Sequence, residues 1–237
     1  SAIDEVWITG QMAGLAFVDG DGHAKAPLIS WQDTRSDRLE EVTTLMGPDV
    51  VADLGDGLRT GSPSVTLAAM DIARHSHIRS LISYVAGRVA GQLTTTIHTT
   101  DAGAWGLFDT RRMHWSPRAC SVVGVVVEDL PGVTSDARAT IGTSNVHVGI
   151  GDQQAALFGV GLQPGELSVN LATGCQVSVL AYEFSDDVQT RPYVDSHLLH
   201  TVTHLPAGRI MRDVVKTVFG DDSPESWTRA TSAAESD

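Results

Sequence analysis

Residues 149–159 read Gly149-Ile-Gly-Asp-Gln-Gln-Ala-Ala-Leu-Phe-Gly159, "GIGDQQAALFG". One carboxylate, Asp152, stands between two glycines and two glutamines, with an apolar run behind it. The alternation of Asn145–Ile150 ahead of it predicts a strand, and Gln153–Phe158 predicts a helix. Asp152 then lies at the C-terminal end of a strand and the N-terminal end of a helix. In α/β sheets that edge is where ligands bind, and glycine lets a ligand or a second backbone approach closely. A carboxylate there can accept a hydrogen bond from a substrate hydroxyl and take its proton. The same place also suits a helix N-cap, for which Asp is a favoured residue. Both readings stand at this level.

Outward from that stretch, short strands alternate with helices. Val6–Thr9, Leu15–Val18 and Pro27–Trp31 read as strands, with a turn at Asp19-Gly-Asp-Gly22. A polar helix is expected from about Ser36 to Leu45, a loop over Gly55–Ser64, and helices over Thr66–Ala73 and Leu81–Ala90. Gln92–Thr100 and Trp105–Asp109 have strand character, and Val122–Val127 is a strand or a short buried helix. Glu166–Leu171 and Gln176–Tyr182 read as strands around the turn "ATGC". Leu198–His204 reads as a strand and Ile210–Phe219 as a helix. The end, "GDDSPESWTRATSAAESD", is polar and rich in small residues, as in a linker or frayed terminus. The pattern as a whole is α/β.

The 237 residues allow one large domain or two small ones, and a 42% hydrophobic content supports a sizeable core. The formal net charge is −13, and no Lys/Arg cluster is visible, which argues against nucleic acid as a partner. A neutral small molecule fits better; an anionic ligand would need a local positive site. The two cysteines, Cys120 and Cys175, have no zinc-ligand spacing and fit a reducing cytoplasm, with a single disulfide between them as the alternative. The start has no signal-peptide pattern, and Val122–Val127 is too short to span a bilayer. A soluble cytoplasmic protein, with no membrane partner, is the expectation.

Three other groupings could carry chemistry. Leu171-Ala-Thr-Gly-Cys-Gln176 puts a Thr-Gly turn, Thr173-Gly174, between two strands, where backbone N–H groups and a hydroxyl suit phosphate oxygens; an ordinary turn has the same sequence. Gly10-Gln-Met-Ala-Gly14 and Ser30-Trp-Gln-Asp-Thr-Arg35 each follow a strand. Gln11, Gln32 and Asp33 could read hydroxyls, and Trp31 could offer a flat face to a sugar ring; a plain turn and a core tryptophan are the alternative. His197, His200 and His204 would line one face of a helix, but the strand reading separates His197 from the other two and argues against a metal site. His75 and His77 read as part of a solvated segment.

Taken in order, "GQMAG", "PLISWQDTRS", "DAGAWGLFDT…HWS" and "GIGDQQAALFGVGLQPGELSVNLATGCQ" resemble the FGGY carbohydrate kinase family, from about Val6 to about Gly208. "GDQQAALFG" resembles glycerol kinases; "GQM" with "SWQD", "AGAWGLFDT" and "LLHTVTHLPAGR" is closer to the xylulokinase and sedoheptulokinase side. The resemblance implies an actin-like (ribonuclease H-like) ATPase fold of the α/β class, in which two such domains close on a sugar and ATP. It implies Asp152 as the general base, with Gln153, Gln11, Met12, Trp31 and Asp33 at the sugar. Thr173 and Gly174 would belong to the part that binds the ATP phosphates. The reaction implied is in-line phosphoryl transfer with Mg²⁺ to a ketose or polyol, sedoheptulose or xylulose foremost. The alternative is a sugar-binding or regulatory module derived from such a kinase.

Two departures from the family pattern matter. Ala13 stands where xylulose- and sedoheptulose-type members carry His, and Met12-Ala13 stands where glycerol kinases carry Arg-Glu, which disfavours glycerol. Family chains are also longer. They open with a "D-x-G-T-T"-like hairpin and end in a second actin-like domain. Residues 1–208 therefore look like the sugar-binding first domain without its first hairpin, and 209–237 like the start of a hinge, a second domain or a tail. An uncovered strand edge would invite a partner, which leaves a homodimer open.

Overall fold

The computed structural model describes residues 3–34, 36–70, 77–171, 174–205 and 207–234. The chain opens with β1 (Thr9–Gly10) and the wholly buried β2 (Leu15–Val18). Three short helices follow: α1 (Leu39–Met46), α2 (Pro48–Asp53) and α3 (Pro63–Ala68). Proline opens the last two, where its missing N–H would have had no partner in any case. Next come β3 (His77–Ser80), α4 (Leu81–Ala90), β4 (Thr96–His98) and α5 (Thr99–Ala102). β5 (Phe108–Asp109), β6 (His114–Trp115), α6 (Pro117–Val122) and β7 (Gly132–Thr134) lead to β8 (Ile150–Gly151) and α7 (Asp152–Gly159). The remainder is β9 (Leu167–Leu171), β10 (Cys175–Ala181), β11 (Gln189–Pro192), β12 (Leu198–Leu205), α8 (Gly208–Phe219) and α9 (Pro224–Ala234).

Two parallel pairs, β1 with β8 and β4 with β7, and the antiparallel pair β2–β3 carry the first part. An antiparallel sheet in the order β11-β12-β10-β9 carries the second. The first core gathers around Trp105, Phe108, Phe17, Leu15 and Met46, all buried. Burying each such side chain stabilises the fold by about 1.5–3 kcal/mol. The indole of Trp115 at its edge donates to Pro131 O at 2.8 Å. A second cluster, with Ile150, Leu157, Tyr193, Val194 and Leu199, fixes α7 against the four-stranded sheet. That packing holds the ends of β1 and β8 beside β10.

α4 forms at the expected residues because both of its ends are set locally. Ser80 Oγ accepts from Ser83 N at 2.9 Å, and Gly91, at φ 71°, ends the helix in the left-handed region. Leu15–Val18 and the strands near 167, 176 and 198 also lie within a residue or two of expectation.

Other segments differ, each for a physical reason. Pro27–Trp31 is not a strand: Leu15 and Ile29 exchange two backbone bonds of 2.8 and 3.0 Å, and the chain then turns with Asp33 N on Ser30 O. Gln92–Thr100 shortens to β4, because His98 Nδ1 accepts from Thr100 N and starts α5. Trp105 is in a 3₁₀ turn, which leaves only Phe108–Asp109 as strand. Val122–Val127 is neither strand nor helix throughout: α6 ends at Val122, and Gly124, at φ 73°, turns the chain. The helix expected over Thr66–Ala73 begins earlier, at Pro63, and stops at Ala68; the last residues of that expectation, and His75, lie outside the described residues. Asn145–Ile150 is mostly single bridges, Val6 with Val146 and Thr140 with His147, with a ladder only at its end. As far as Ala234 the tail is no frayed linker, since Ser223 Oγ accepts from Ser226 N and opens α9. Arg229 of α9 stacks over the Phe219 ring of α8, 4.9 Å from its centroid. Among the described residues no helix is long and apolar enough to cross a membrane.

Candidate active site

β1 and β8 run side by side and end together, with Thr9 opposite Ile150 and Gly10 opposite Gly151. Gln11 and Met12 leave one strand, and Asp152 leaves the other. Gly151 leaves room for two neighbouring side chains: a Cβ would stand 2.5 Å from Met12 Sδ and 2.7 Å from Gln154 Oε1. Its N–H donates to Thr100 Oγ1 at 3.1 Å. Gly151 also occupies the N-cap position of α7, with no side-chain cap. Asp152 is therefore not the cap that its sequence position allowed. It is the first residue of the helix, exposed, and its Oδ1 accepts from Gln153 N at 2.7 Å. The helix N-terminus favours its negative charge.

Asp152 faces a cavity of about 540 Å³ between α7 and the β9–β10 ladder. Gln153, Ser168, Asn170, Gln176 and Ser178 line it with hydroxyls and amides. The register explains why four strand residues share this wall. Ser168 pairs with Ser178 and Asn170 with Gln176, and residues two apart point to one face. The ladder leads to the hairpin turn at Gly174, which is exposed. Ala172 and Thr173 lie outside the described residues.

A narrow cleft alongside is lined by Met12, Asp56, Thr100, Gln154 and Arg191. Gln153 spans the two spaces. Its Nε2 donates to Ser178 Oγ at 3.2 Å, and its Oε1 accepts from Arg191. Arg191 in turn pairs with Asp56 at 3.0 Å, with the two side chains only 13% and 9% exposed. Beneath the same edge lies Asp101, completely buried. Burial pushes its carboxyl up to about 7, and the charge of Asp152 adds to the rise. Ser80 and Trp105 pull in the other direction, although neither closes a hydrogen bond of normal geometry on the carboxylate.

The other expected site residues are placed less closely. Gln11 is half-buried beside Gly14. Ala13 is buried at φ 63°, a left-handed conformation that costs a non-glycine residue about 1–2 kcal/mol. Trp31 is 44% exposed on a separate loop, not a core residue. Asp33 is half-buried on that loop. Neither lines the cavity or the cleft beside Asp152. His200 sits in β12 with Nε2 on Glu183 O at 2.9 Å, so the three histidines do not share a helix face. Among the described residues the one cluster with metal-like spacing is Asp19, half-buried, with the exposed Asp21 and His23. Among the described residues Asp152 is the one carboxylate lining the larger cavity. Arg191, Asp56 and Asp101 were not singled out from sequence; only Asp101 carried a signal, as the first residue of "DAGAWGLFDT".

No family model matches the chain. A glycerol kinase of Cereibacter sphaeroides is 23% identical over 261 residues, covering 97% of this chain and 52% of that protein. A glycerol kinase of Nocardia farcinica is 32% identical over 171 residues, covering 62% and 33%. A xylulose kinase structure from Rhodospirillum rubrum superposes with a TM-score of 0.84 at 13% identity, over 97% of this chain and 52% of that one. The Brucella ovis "xyloylose kinase" structure gives 0.82 at 21%, with the same coverage. The chain is similar to glycerol kinases in sequence and to xylulose kinases in structure over nearly its whole length. Its fold is the actin-like ATPase fold of these FGGY kinases. A further neighbour is the Plasmodium falciparum glycerol kinase with ADP, at a TM-score of 0.75 and 17% identity over 94% of this chain and 51% of that one. The chain spans about half the length of the first curated relative it matches.

Proposed function

We propose that this chain supplies the sugar site and the base for ATP-dependent phosphorylation of a ketose or polyol hydroxyl. The observation that carries the reading is Asp152. Its exposed carboxylate ends a parallel strand pair and faces an open cavity of about 540 Å³, walled by hydroxyls and amides together with Ala156, Leu157, Val160 and Val169. In this reading Asp152 takes the proton of the acceptor hydroxyl as that oxygen becomes the nucleophile, which contributes about 10²–10⁴-fold. Gln153, held from both ends, orients the sugar, and Met12 borders it from the cleft alongside; Gln11, Trp31 and Asp33 stand outside both spaces and complete the pocket only if their loops close on the sugar. Mg-ATP, when bound, supplies the phosphoryl group, with Thr173 and Gly174 at its phosphates. Met12 and Ala13 put no charged pair at this edge, which supports a ketose such as xylulose or sedoheptulose over glycerol. Residues 1–208 form the sugar-binding unit and 209–237 begin the next. Two buried free cysteines, Cys120 and Cys175, support a reducing, cytoplasmic setting. The uncovered edge of β9, with Leu167, Val169 and Leu171 exposed, supports association with another domain or copy.

The test is a coupled ADP-release assay with Mg-ATP and sedoheptulose, xylulose, ribulose and glycerol. We expect turnover with one ketose, reduced about 10²–10⁴-fold in Asp152→Asn. Equal turnover by the variant would refute the base assignment. A folded chain that binds a sugar without turnover would be the sugar-binding module instead.

A further inference from the structure

A second cavity, of about 310 Å³, opens where β3 and the end of α4 meet the turn after β2. It lies on a different face of α4 from the proposed kinase site. Ile82 points to Gly10 and Gly149, whereas Ser83, Tyr84, Gly87 and Arg88 line the cavity. Arg79 forms part of its wall and is only 5% exposed. Among the described residues two of its five N–H groups find partners: Nε donates to Thr94 O at 2.5 Å and Nη1 to Ile78 O at 2.8 Å. Three remain.

A buried guanidinium is normally paired, because desolvating an ion costs several kcal/mol. The arginine ion pairs among the described residues are made by Arg38, Arg59, Arg111, Arg112 and Arg191. Arg79 and Arg88 have no carboxylate partner among those residues. Two guanidiniums face the cavity against one carboxylate, Asp21, in a chain whose formal net charge is −13. Such a site selects an anion, and the guanidinium fork matches phosphate oxygens. Asp21, Tyr84 and Gln92 line the rest and can hydrogen-bond hydroxyls.

We propose that this cavity binds a small phosphate-bearing ligand, with Arg79 and Arg88 on the phosphate. The inference does not depend on the kinase reading, because it uses none of the same side chains.

Titration calorimetry of the full chain tests it with inorganic phosphate, glycerol 3-phosphate and glycerol. We expect one phosphate-bearing ligand per chain with Kd of about 1 mM or tighter, and no binding of glycerol that competes with it. Arg88→Ala should weaken binding about tenfold, Arg79→Met should abolish it, and Asp152→Asn should leave it unchanged. Arg79 also ties β3 to residue 94, so Arg88→Ala, on an exposed side chain, keeps the test if Arg79→Met does not fold. Tighter binding of the ester would assign the site to a phosphorylated polyol, and equal binding to free phosphate. Three results would overturn the proposal: no saturable binding at about 10 mM of either probe, full affinity in Arg88→Ala, or loss of binding in Asp152→Asn.

Discussion

Arg191 donates to the side chain of Gln153, next to Asp152, while its Nε and Nη2 hold Asp56 at 3.2 and 3.0 Å. One guanidinium thus joins β11, α7 and the loop after α2. Breaking a buried pair leaves one charge without a partner, which costs about 3–5 kcal/mol. Arg191→Met should destabilise the fold at the lower end of that range, because both side chains keep some contact with water. Urea unfolding reads it directly. Adding Asp56→Leu should recover part of the loss, and a coupling energy near zero in the double-mutant cycle would show that the pair is not cooperative.

Gly61 and Trp31 touch through backbone. A Cβ at Gly61 would stand 1.6 Å from Trp31 O and 2.7 Å from Trp31 C. No rotamer can relieve a clash with a carbonyl, so the loop of residues 30–34 has to move. Gly61→Ala should cost about 1–3 kcal/mol or more, measured as a lowered denaturation midpoint. It should also shift the fluorescence of the exposed Trp31. If Trp31 and Asp33 reach the sugar as proposed, KM for the ketose should rise more than kcat falls.

Gly151→Ala gives a contrasting case. Its added Cβ would meet Met12 Sδ at 2.5 Å and Gln154 Oε1 at 2.7 Å, the ends of two flexible side chains. Stability should fall only modestly, by about 1–2 kcal/mol. On the proposed mechanism turnover should fall far more, because both displaced side chains border the acceptor site. Equal losses of stability and activity would count against that placement of Met12.

What the sequence discloses here depends on how locally each feature is determined. α4 carries its own cap and stop, Ser80 and Gly91, and β9, β10 and β12 carry their own alternation, so all four are legible. β11 is not, because Gln189–Pro192 becomes a strand only by pairing with β12, and Arg191 stays hidden with it. Asp101 shows the same limit in chemical form. Its motif position was visible, but its burial comes from the closure of β3, α5 and the turn at Trp105 around it. The "GD" step was the exception. Glycine before the acid at a strand end left few geometries, yet only the structure moved the cap from Asp152 to Gly151.

Asp101 gives the pH prediction. Its folded pKa, about 7, lies above the ordinary value of 3.8. Between those values the native state binds more protons than the unfolded chain, so this group's contribution makes stability fall as pH rises. The loss begins near pH 4, is complete above about pH 7, and has an upper bound of roughly 4 kcal/mol. Asp101→Asn removes the titration and keeps the shape. The variant should gain stability over the parent at pH 8 and lose most of that gain at pH 4, measured by urea unfolding at both values. Because the charge of Asp152 contributes to the rise, Asp152→Asn should lower the midpoint of the parent's pH dependence. A constant difference between Asp101→Asn and the parent from pH 4 to 8 would mean that Asp101 keeps an ordinary carboxylate pKa, and that the two aspartates do not sense each other across the edge of β8.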